Sequence, residues 1–274
     1  MTTVRLVYAF PNFLLNKKFY DYFLDTLNNG EMPRLGDLIR QTKVADGGGL
    51  NSRNFTLLGD PALRLNYPEM LVSTSSVSQD TLKALSKVTV SGSLTNIGGS
   101  KLTNYNGVLY PTVFDKPDTL RTLGNDAASP VFSFAQQKNV LYRGKASVKN
   151  GDFSFTFNVP KDVAGNQFGI GKISYYAEDG YLDANGPFDS IVVGGTETGV
   201  AADNTGPTIK LYMNDEKFVS GGTTDETPVF FAELFDENGI KASGAGIGHD
   251  ISLVIDENTA QQIVLNDFYE ADLD

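Results

Sequence analysis

Three short stretches carry residue types that could do chemistry. The first is Ser243 to Ile251, which holds His249, the only histidine of the chain, with Asp250 beside it. A base or a metal ligand is one reading. The other is a loop histidine held by local hydrogen bonds before a strand. The second is preferred, because a metal site needs three or more grouped ligands and none are grouped here. No G-x-S-x-G elbow accompanies the histidine to suggest a serine nucleophile. The second stretch, "GNQFGIGKIS" from Gly165, has the glycines and lysine of a phosphate loop. It fails that pattern: five residues separate Gly165 from Gly171, Ile173 stands where Ser or Thr is required, and a strand follows instead of a helix. "GAGIG" from Gly244 likewise lacks the dinucleotide spacing and a following helix. The third group is acidic: Asp179 to Asn185, Asp203-Asn204 and Asp236-Glu237-Asn238. Calcium needs six to eight converging oxygens, and none of these matches an EF-hand. Asp and Asn are also ordinary turn residues, which is the preferred reading. No catalytic, cofactor-binding or metal-binding residue is assigned, and no cofactor is expected.

Composition narrows the classes. The 274 residues contain no cysteine, which removes disulfides, thiolate metal sites and a cysteine nucleophile together. The net charge is −11, unevenly spread. Residues 1–68 carry 8 basic and 6 acidic side chains, residues 69–198 carry 11 and 12, and residues 199–274 carry 3 and 15. Acidic surfaces repel phosphate backbones, so nucleic acid is not expected as a partner. No apolar run approaches the roughly 20 residues of a membrane span, so the chain is not expected to be transmembrane. "MTTVRLVYAF" lacks the pattern of a secretion signal.

The elements fall into three regions. Residues 1–68 read as mixed α/β. Val4 to Phe10 reads as a strand. Phe13 to Leu27 reads as an amphipathic helix through Leu15, Phe19, Tyr22, Phe23 and Leu27, closed by Asn28-Asn29-Gly30. Pro33 opens a second helix with Leu35, Leu38 and Ile39 inward, and Gly47-Gly48-Gly49 breaks it. In "RNFTLLGDPALRLNYP", Phe55 to Leu58 reads as a short strand. Gly59-Asp60-Pro61 is a turn, and Ala62 to Leu65 is a second extended piece.

Residues 69–198 change to a period of two, with Val88, Val90 and Leu94 on one face. "KASVKNGDFSFTFNVP" is the strongest local pattern. Asn150-Gly151 is a two-residue turn matched to strand twist, with Phe153, Phe155, Phe157 and Val159 on one face and Ser154, Thr156 and Asn158 on the other. Further strands are expected near 107–115, 138–149, 169–177 and 189–193, giving an antiparallel β-sandwich. A polar linker spans 194–207. Residues 199–274 then offer strands at 208–213, 229–235, 251–255 and 261–265. These are too few for a whole immunoglobulin-type sandwich, so this domain is expected to be partial, and the chain to be cut at both ends.

The sequence also resembles a known family. "RNFTLLGDPALRLNYP", "VYAFPNFLLNKKFYDYF" and "PRLGDLIRQTK" resemble segments that close the peptidase domain of the gingipain family of cysteine peptidases. "YRGKASVKNGDFSFTFNVPKDVAG" and "GIKASGAGIGHDISLVIDEN" resemble the region after that domain in the branch that serves as sortase of the type IX secretion system of Bacteroidetes. The resemblance runs through nearly the whole chain in order.

It implies a mainly β chain: the remnant of a caspase-like α/β peptidase domain (1–68), an antiparallel β-sandwich (69–198) and a truncated immunoglobulin-like β-sandwich (199–274). It implies a parent with a Cys–His dyad that removes C-terminal secretion signals at the outer membrane's extracellular face. The parent's partners would be type IX secretion outer-membrane components and secreted cargo, and a signal peptide would lie upstream. No catalytic residue transfers to this cysteine-free chain. The alternative is an adhesion or carbohydrate-binding module without catalysis, which exposed aromatic residues on one face would favour. Residues 1–68, parted from the remainder of a peptidase domain, are expected to leave an apolar surface through Leu15, Phe19, Phe23, Leu38 and Ile39, and the chain either to self-associate or to fold these residues back onto the middle sandwich.

Overall fold

A computed structural model describes residues 2–25, 27, 31–67, 69–125, 130–161, 163, 167–200, 205–237, 239–240 and 250–273. The chain divides into two compact units, residues 1–68 and 69–274.

The first unit is small. Strand β1 (Thr2–Thr3) pairs antiparallel with β2 (Phe55–Thr56). Between them lie helices α1 (Ala9–Phe23), α2 (Leu35–Ala45) and α3 (Leu50–Arg53). The strand expected over Val4 to Phe10 does not form. Val4 donates its N–H to Asn54 O, but Leu6 is 97% exposed, so the alternating side chains have no sheet to lie on. The helix starts earlier than Phe13 because Pro11 falls in its first turn, where a missing N–H leaves nothing unsatisfied. It ends at Phe23 instead of Leu27; the expected cap at 28–30 lies outside the described residues. Pro33 stands before α2 instead of opening it. Asp37, in the first turn, accepts the N–H of Arg34 and suits the positive helix end. Gly47 and Gly48 end the second helix with positive φ.

The Gly59-Asp60-Pro61 turn is present. The Asp60 carboxylate accepts the N–H of Ala62 at 2.8 Å and the Asp60 carbonyl accepts that of Leu63. Leu57 and Leu58 leave the strand, and the expected second strand at Ala62–Leu65 reduces to one bridge, Arg64 to Arg34.

The second unit holds the core. Its strands are β3 (Met70–Val77), β4 (Thr81–Ala84), β5 (Lys87–Asn96), β6 (Gly107–Phe114), β7 (Asp118–Arg121), β8 (Ser133–Gln136), β9 (Val140–Arg143), β10 (Ala146–Lys149), β11 (Asp152–Asn158), β12 (Gly169–Glu178) and β13 (Asp183–Thr196). Nine of them form one sheet in the order β10-β11-β5-β3-β13-β12-β6-β9, with β4 beside β13. Strand β10 also pairs with β6, so the sheet closes on itself. The expected two-layer sandwich is therefore a barrel. Both architectures bury one face of every strand, so both leave the same period-two pattern. Register shifts in β3, and between β12 and β13, bend the strands around the ring. The β3–β13 seam is parallel and rests on a single pair, Leu71 with Asn185.

The hairpin read from Asn150-Gly151 joins β10 and β11, with φ of 53° and 76° at its two central residues. Phe153, Phe155, Phe157 and Val159 are buried and Ser154 and Thr156 exposed. The rings of Phe155 and Phe157 stack on Tyr142 at centroid distances of 5.8 and 5.0 Å. Two buried phenols are answered: Tyr175 shares a 2.6 Å hydrogen bond with Thr74, and Tyr105 donates to Leu182 O. The strand expected over 138–149 is interrupted between β9 and β10. Gly194 to Thr196, read as linker, belongs to β13. β7 and β8 pair with each other as a separate hairpin.

Beyond residue 205 the elements are sparse. β14 (Thr208–Met213) pairs with β15 (Phe230–Phe235), and β16 (Ser252–Leu253) with β17 (Ile263–Val264). All four expected strands are found, two of them shortened to two residues. They make two separate two-stranded sheets rather than a layered sandwich.

Candidate functional site

No catalytic constellation is found among the described residues. No three or more His, Asp or Glu side chains there could hold a metal, and the chain has no cysteine. His249, Gly165, the Gly244 motif and Asp203-Asn204 lie outside the described residues; the described part of the stretch after Gly165 runs into strand β12 and not a helix, as read from the sequence. Asp179 behaves as a turn residue: its carboxylate accepts the N–H groups of Tyr181 and Leu182. Those two bonds, Leu182's first, hold its pKa below the usual carboxylate range. Gly239 closes a turn onto Asp236 O. Asp183 to Asn185, by contrast, belong to strand β13.

What the first unit does present is an exposed apolar stripe on one helix. Helix α1 reads AFPNFLLNKKFYDYF, apolar nearly all round. A helix of that kind needs cover on both sides. One stripe, Leu15, Phe19 and Tyr22, turns inward, with Leu15 fully buried. The other runs through Phe10, Phe13, Tyr20 and Leu24, spaced three, seven and four residues apart, and all four are exposed. Phe13 is 62% and Tyr20 66% exposed. Beside this stripe lies an open groove of about 660 Å³ whose lining includes Thr3, Asn12, Phe13, Asn16, Tyr20 and Phe55. Apart from the Tyr20 phenol, no ionisable side chain lines the groove.

This corrects the expected surface. Leu15 and Leu38 are fully buried, and Phe19, Phe23 and Ile39 half-buried. The short helices α2 and α3 cover that side, and the opposite side of α1 is bare. The signal was available in Phe10, Phe13 and Tyr20, which repeat at helical spacing through Lys17.

A second surface lies on the barrel. Tyr110 of β6 and Tyr176 of β12 are directly paired across strands, with ring centroids 6.1 Å apart and planes inclined by 35°. Tyr176 is 45% exposed. Tyr110 donates a long hydrogen bond of 3.4 Å to Glu178; desolvation first, then the Glu178 charge, raise its pKa. Asn185 stands opposite Tyr176 on β13 and is exposed.

Comparison with known proteins gives these surfaces a context. The profile of peptidase family C25 matches residues 1–66. The crystal structure of dimeric latent PorU from Porphyromonas gingivalis is similar to 90% of this chain at 33% sequence identity and a TM-score of 0.51. The match covers 24% of PorU, so the chain spans about a quarter of that protein's length. Spo0M, a sporulation control protein from Bacillus subtilis, is similar over 47% of this chain and 51% of its own at 12% identity and a TM-score of 0.30, which is too slight to bear on the fold. No curated protein matches the chain.

Proposed function

From a chain that is gingipain-like in residues 1–66 and PorU-like over nine-tenths of its length, we propose a non-catalytic portion of a cell-surface cysteine peptidase. In this reading residues 1–68 are the closing part of a caspase-like peptidase domain. Residues 69–198 are a β domain that supports or docks the peptidase, and residues 199–274 are part of an immunoglobulin-like domain. The parent would act as the sortase of a type IX secretion system, cleaving C-terminal secretion signals of cargo outside the outer membrane. No helix among the described residues is long and apolar enough to cross a membrane.

The observation that carries the reading is the bare stripe of α1, Phe10, Phe13, Tyr20 and Leu24, in the segment that matches the peptidase family. An element with two apolar faces and one covered belongs to a larger core. Catalysis is not assigned to this chain, since the family's nucleophile is a thiolate and there is no cysteine. Two measurements test this. Arginyl and lysyl reporter peptides should show no turnover above a buffer blank, and turnover surviving repurification would sink the claim. Hydrogen exchange of α1 should slow sharply when residues 1–68 are expressed joined to the preceding part of a gingipain-like peptidase domain. Unchanged exchange there would remove the docking role.

The alternative, an adhesion or carbohydrate-binding module, draws on one observation: the Tyr110–Tyr176 pair with Asn185 alongside. Titration with neutral oligosaccharides, followed by the tyrosine ring signals in NMR, tests it. Absence of any shift at millimolar sugar dismisses it.

A further inference from the structure

Strands β9 and β10 run in line along β6 and are interrupted at Gly144-Lys145. On the β6 side, Gly144 donates its N–H to Pro111 O. On the other side Arg143, Gly144 and Lys145 meet a second piece of chain. Ala271 donates its N–H to Arg143 O at 2.9 Å, and Lys145 donates its own to Ala271 O at 3.1 Å. This is a parallel β-bridge between Gly144 and Ala271. Lys145 Nζ lies 2.8 Å from a Glu270 carboxylate oxygen, and Arg143 Nη1 donates to Asp267 O at 3.0 Å. The fit is close. A Cβ on Gly144 would lie 2.2 Å from the Tyr142 hydroxyl and 3.0 Å from Ala271 Cβ. Any side chain at position 144 would therefore crowd both Tyr142 and the incoming segment.

Charge points the same way. Residues 131–150 carry Lys138, Arg143, Lys145 and Lys149 and no acidic residue, whereas residues 199–274 carry 3 basic and 15 acidic side chains. We infer that the outer edge at Arg143–Gly144–Lys145 is a strand-accepting site for an extended acidic peptide, and that Glu270-Ala271 is its resident occupant in cis. The inference is independent of the function proposed above. Recognition uses two main-chain hydrogen bonds, a steric limit and one half-exposed ion pair, none of which is unique to this chain's own segment. Tethering gives the resident segment an effective concentration of about millimolar order, so a free peptide competes only once the resident is displaced.

Ala271→Pro removes the N–H that bonds Arg143 and displaces the segment without touching the barrel. Exchange of the Lys145 amide should then quicken about tenfold. A peptide of sequence Tyr-Glu-Ala-Asp-Leu, a copy of residues 269–273, added at several millimolar, should restore protection in Ala271→Pro. It should fail in Ala271→Pro combined with Gly144→Val. If the valine variant does not fold, Ala271→Pro with Lys145→Glu serves instead. It should reject the acidic peptide and accept one with Lys in place of Glu. Unchanged exchange in Ala271→Pro would overturn the inference, because the segment would not be seated there. So would faster exchange that the peptide fails to slow, since the contact would then be a clasp and not a receptive site. Equal protection by the acidic and lysine peptides in Ala271→Pro would overturn the charge preference.

Discussion

The barrel and the first unit use similar side chains to different ends. In the barrel, residues from nearly every strand meet in one continuous interior, from Val72 on β3 to Val193 on β13. In the first unit, Leu15, Leu38 and Phe55 are the buried apolar side chains among the described residues, while Val4, Leu6, Tyr8, Phe10, Phe13 and Tyr20 are exposed. Both regions satisfy local rules. The barrel also gives the inward apolar faces of its strands a partner, because a closed sheet supplies its own. The lesson is that well-formed helices do not establish an independent domain. A buried interior does, and the first unit has too little of one.

The sharpest way to break this contrast is through the cores. Phe155→Ala should lower the barrel's unfolding free energy by about 3–5 kcal/mol, read from urea transitions. Leu15→Ala should leave that transition in place. If both substitutions shift one common transition equally, the two units are not energetically distinct.

Alkaline unfolding gives the next effect. Burial raises the Tyr175 phenol from the usual 10.0 to about 12, against a smaller opposing effect of its bond to Thr74. A phenol with a raised native pKa favours the folded state fully below the unfolded value. That advantage is lost as pH rises from 10 to 12. The loss should be on the order of 2–3 kcal/mol. Tyr175→Phe, melted across this range, should show a flatter pH profile. Tyr105, also raised by burial and by the charges of Asp179 and Glu178, leaves a remaining slope in the same direction. An equally steep profile in Tyr175→Phe would contradict the assignment.

Gly151→Val tests the barrel's most local feature. It forces a β-branched side chain to φ of 76° and places its Cβ 2.4 Å from Leu102 O. A loss of about 1–3 kcal/mol is expected, against little change for Asn150→Gly. Thermal melts that rank these two the other way would show that the turn does not hold the register.

The smallest effect belongs to the bare stripe. Phe13→Ser with Tyr20→Ser should change stability by only about 0.5 kcal/mol while lowering any self-association seen by light scattering at rising concentration. A large loss of stability would mean that the stripe is covered within this chain, and the contrast between the two regions would fall.

How much could be read in advance follows from how local each feature is. The Asn150-Gly151 hairpin and the alternation of Phe153, Phe155 and Phe157 were legible because turn chemistry and strand period act within sixteen residues. The Gly-Asp-Pro turn and the four strands after residue 205 were legible for the same reason. The misread strand at Val4 to Phe10 looked right on composition, but a strand exists only where a partner does, and β2 offers two residues. The bare stripe of α1 was missed because apolar spacing marks both faces of that helix alike, and only packing against α2 and α3 tells which is covered.

By itself, then, the sequence determined the absence of a thiol chemistry, the charge gradient toward the C-terminus, the Gly-Asp-Pro and Asn-Gly turns, and the faces that β5 and β11 bury. The tertiary structure alone decided that the strands close into a ring. That depends on β10 meeting β6 and β13 meeting β3, pairings of residues about 40 and 110 positions apart, whose closure is not encoded in any local period. It also decided that the edge at Gly144 receives Ala271, more than 120 residues on. Main-chain donors and acceptors are the same at every residue, so only the folded chain shows which of them are left open and what reaches them.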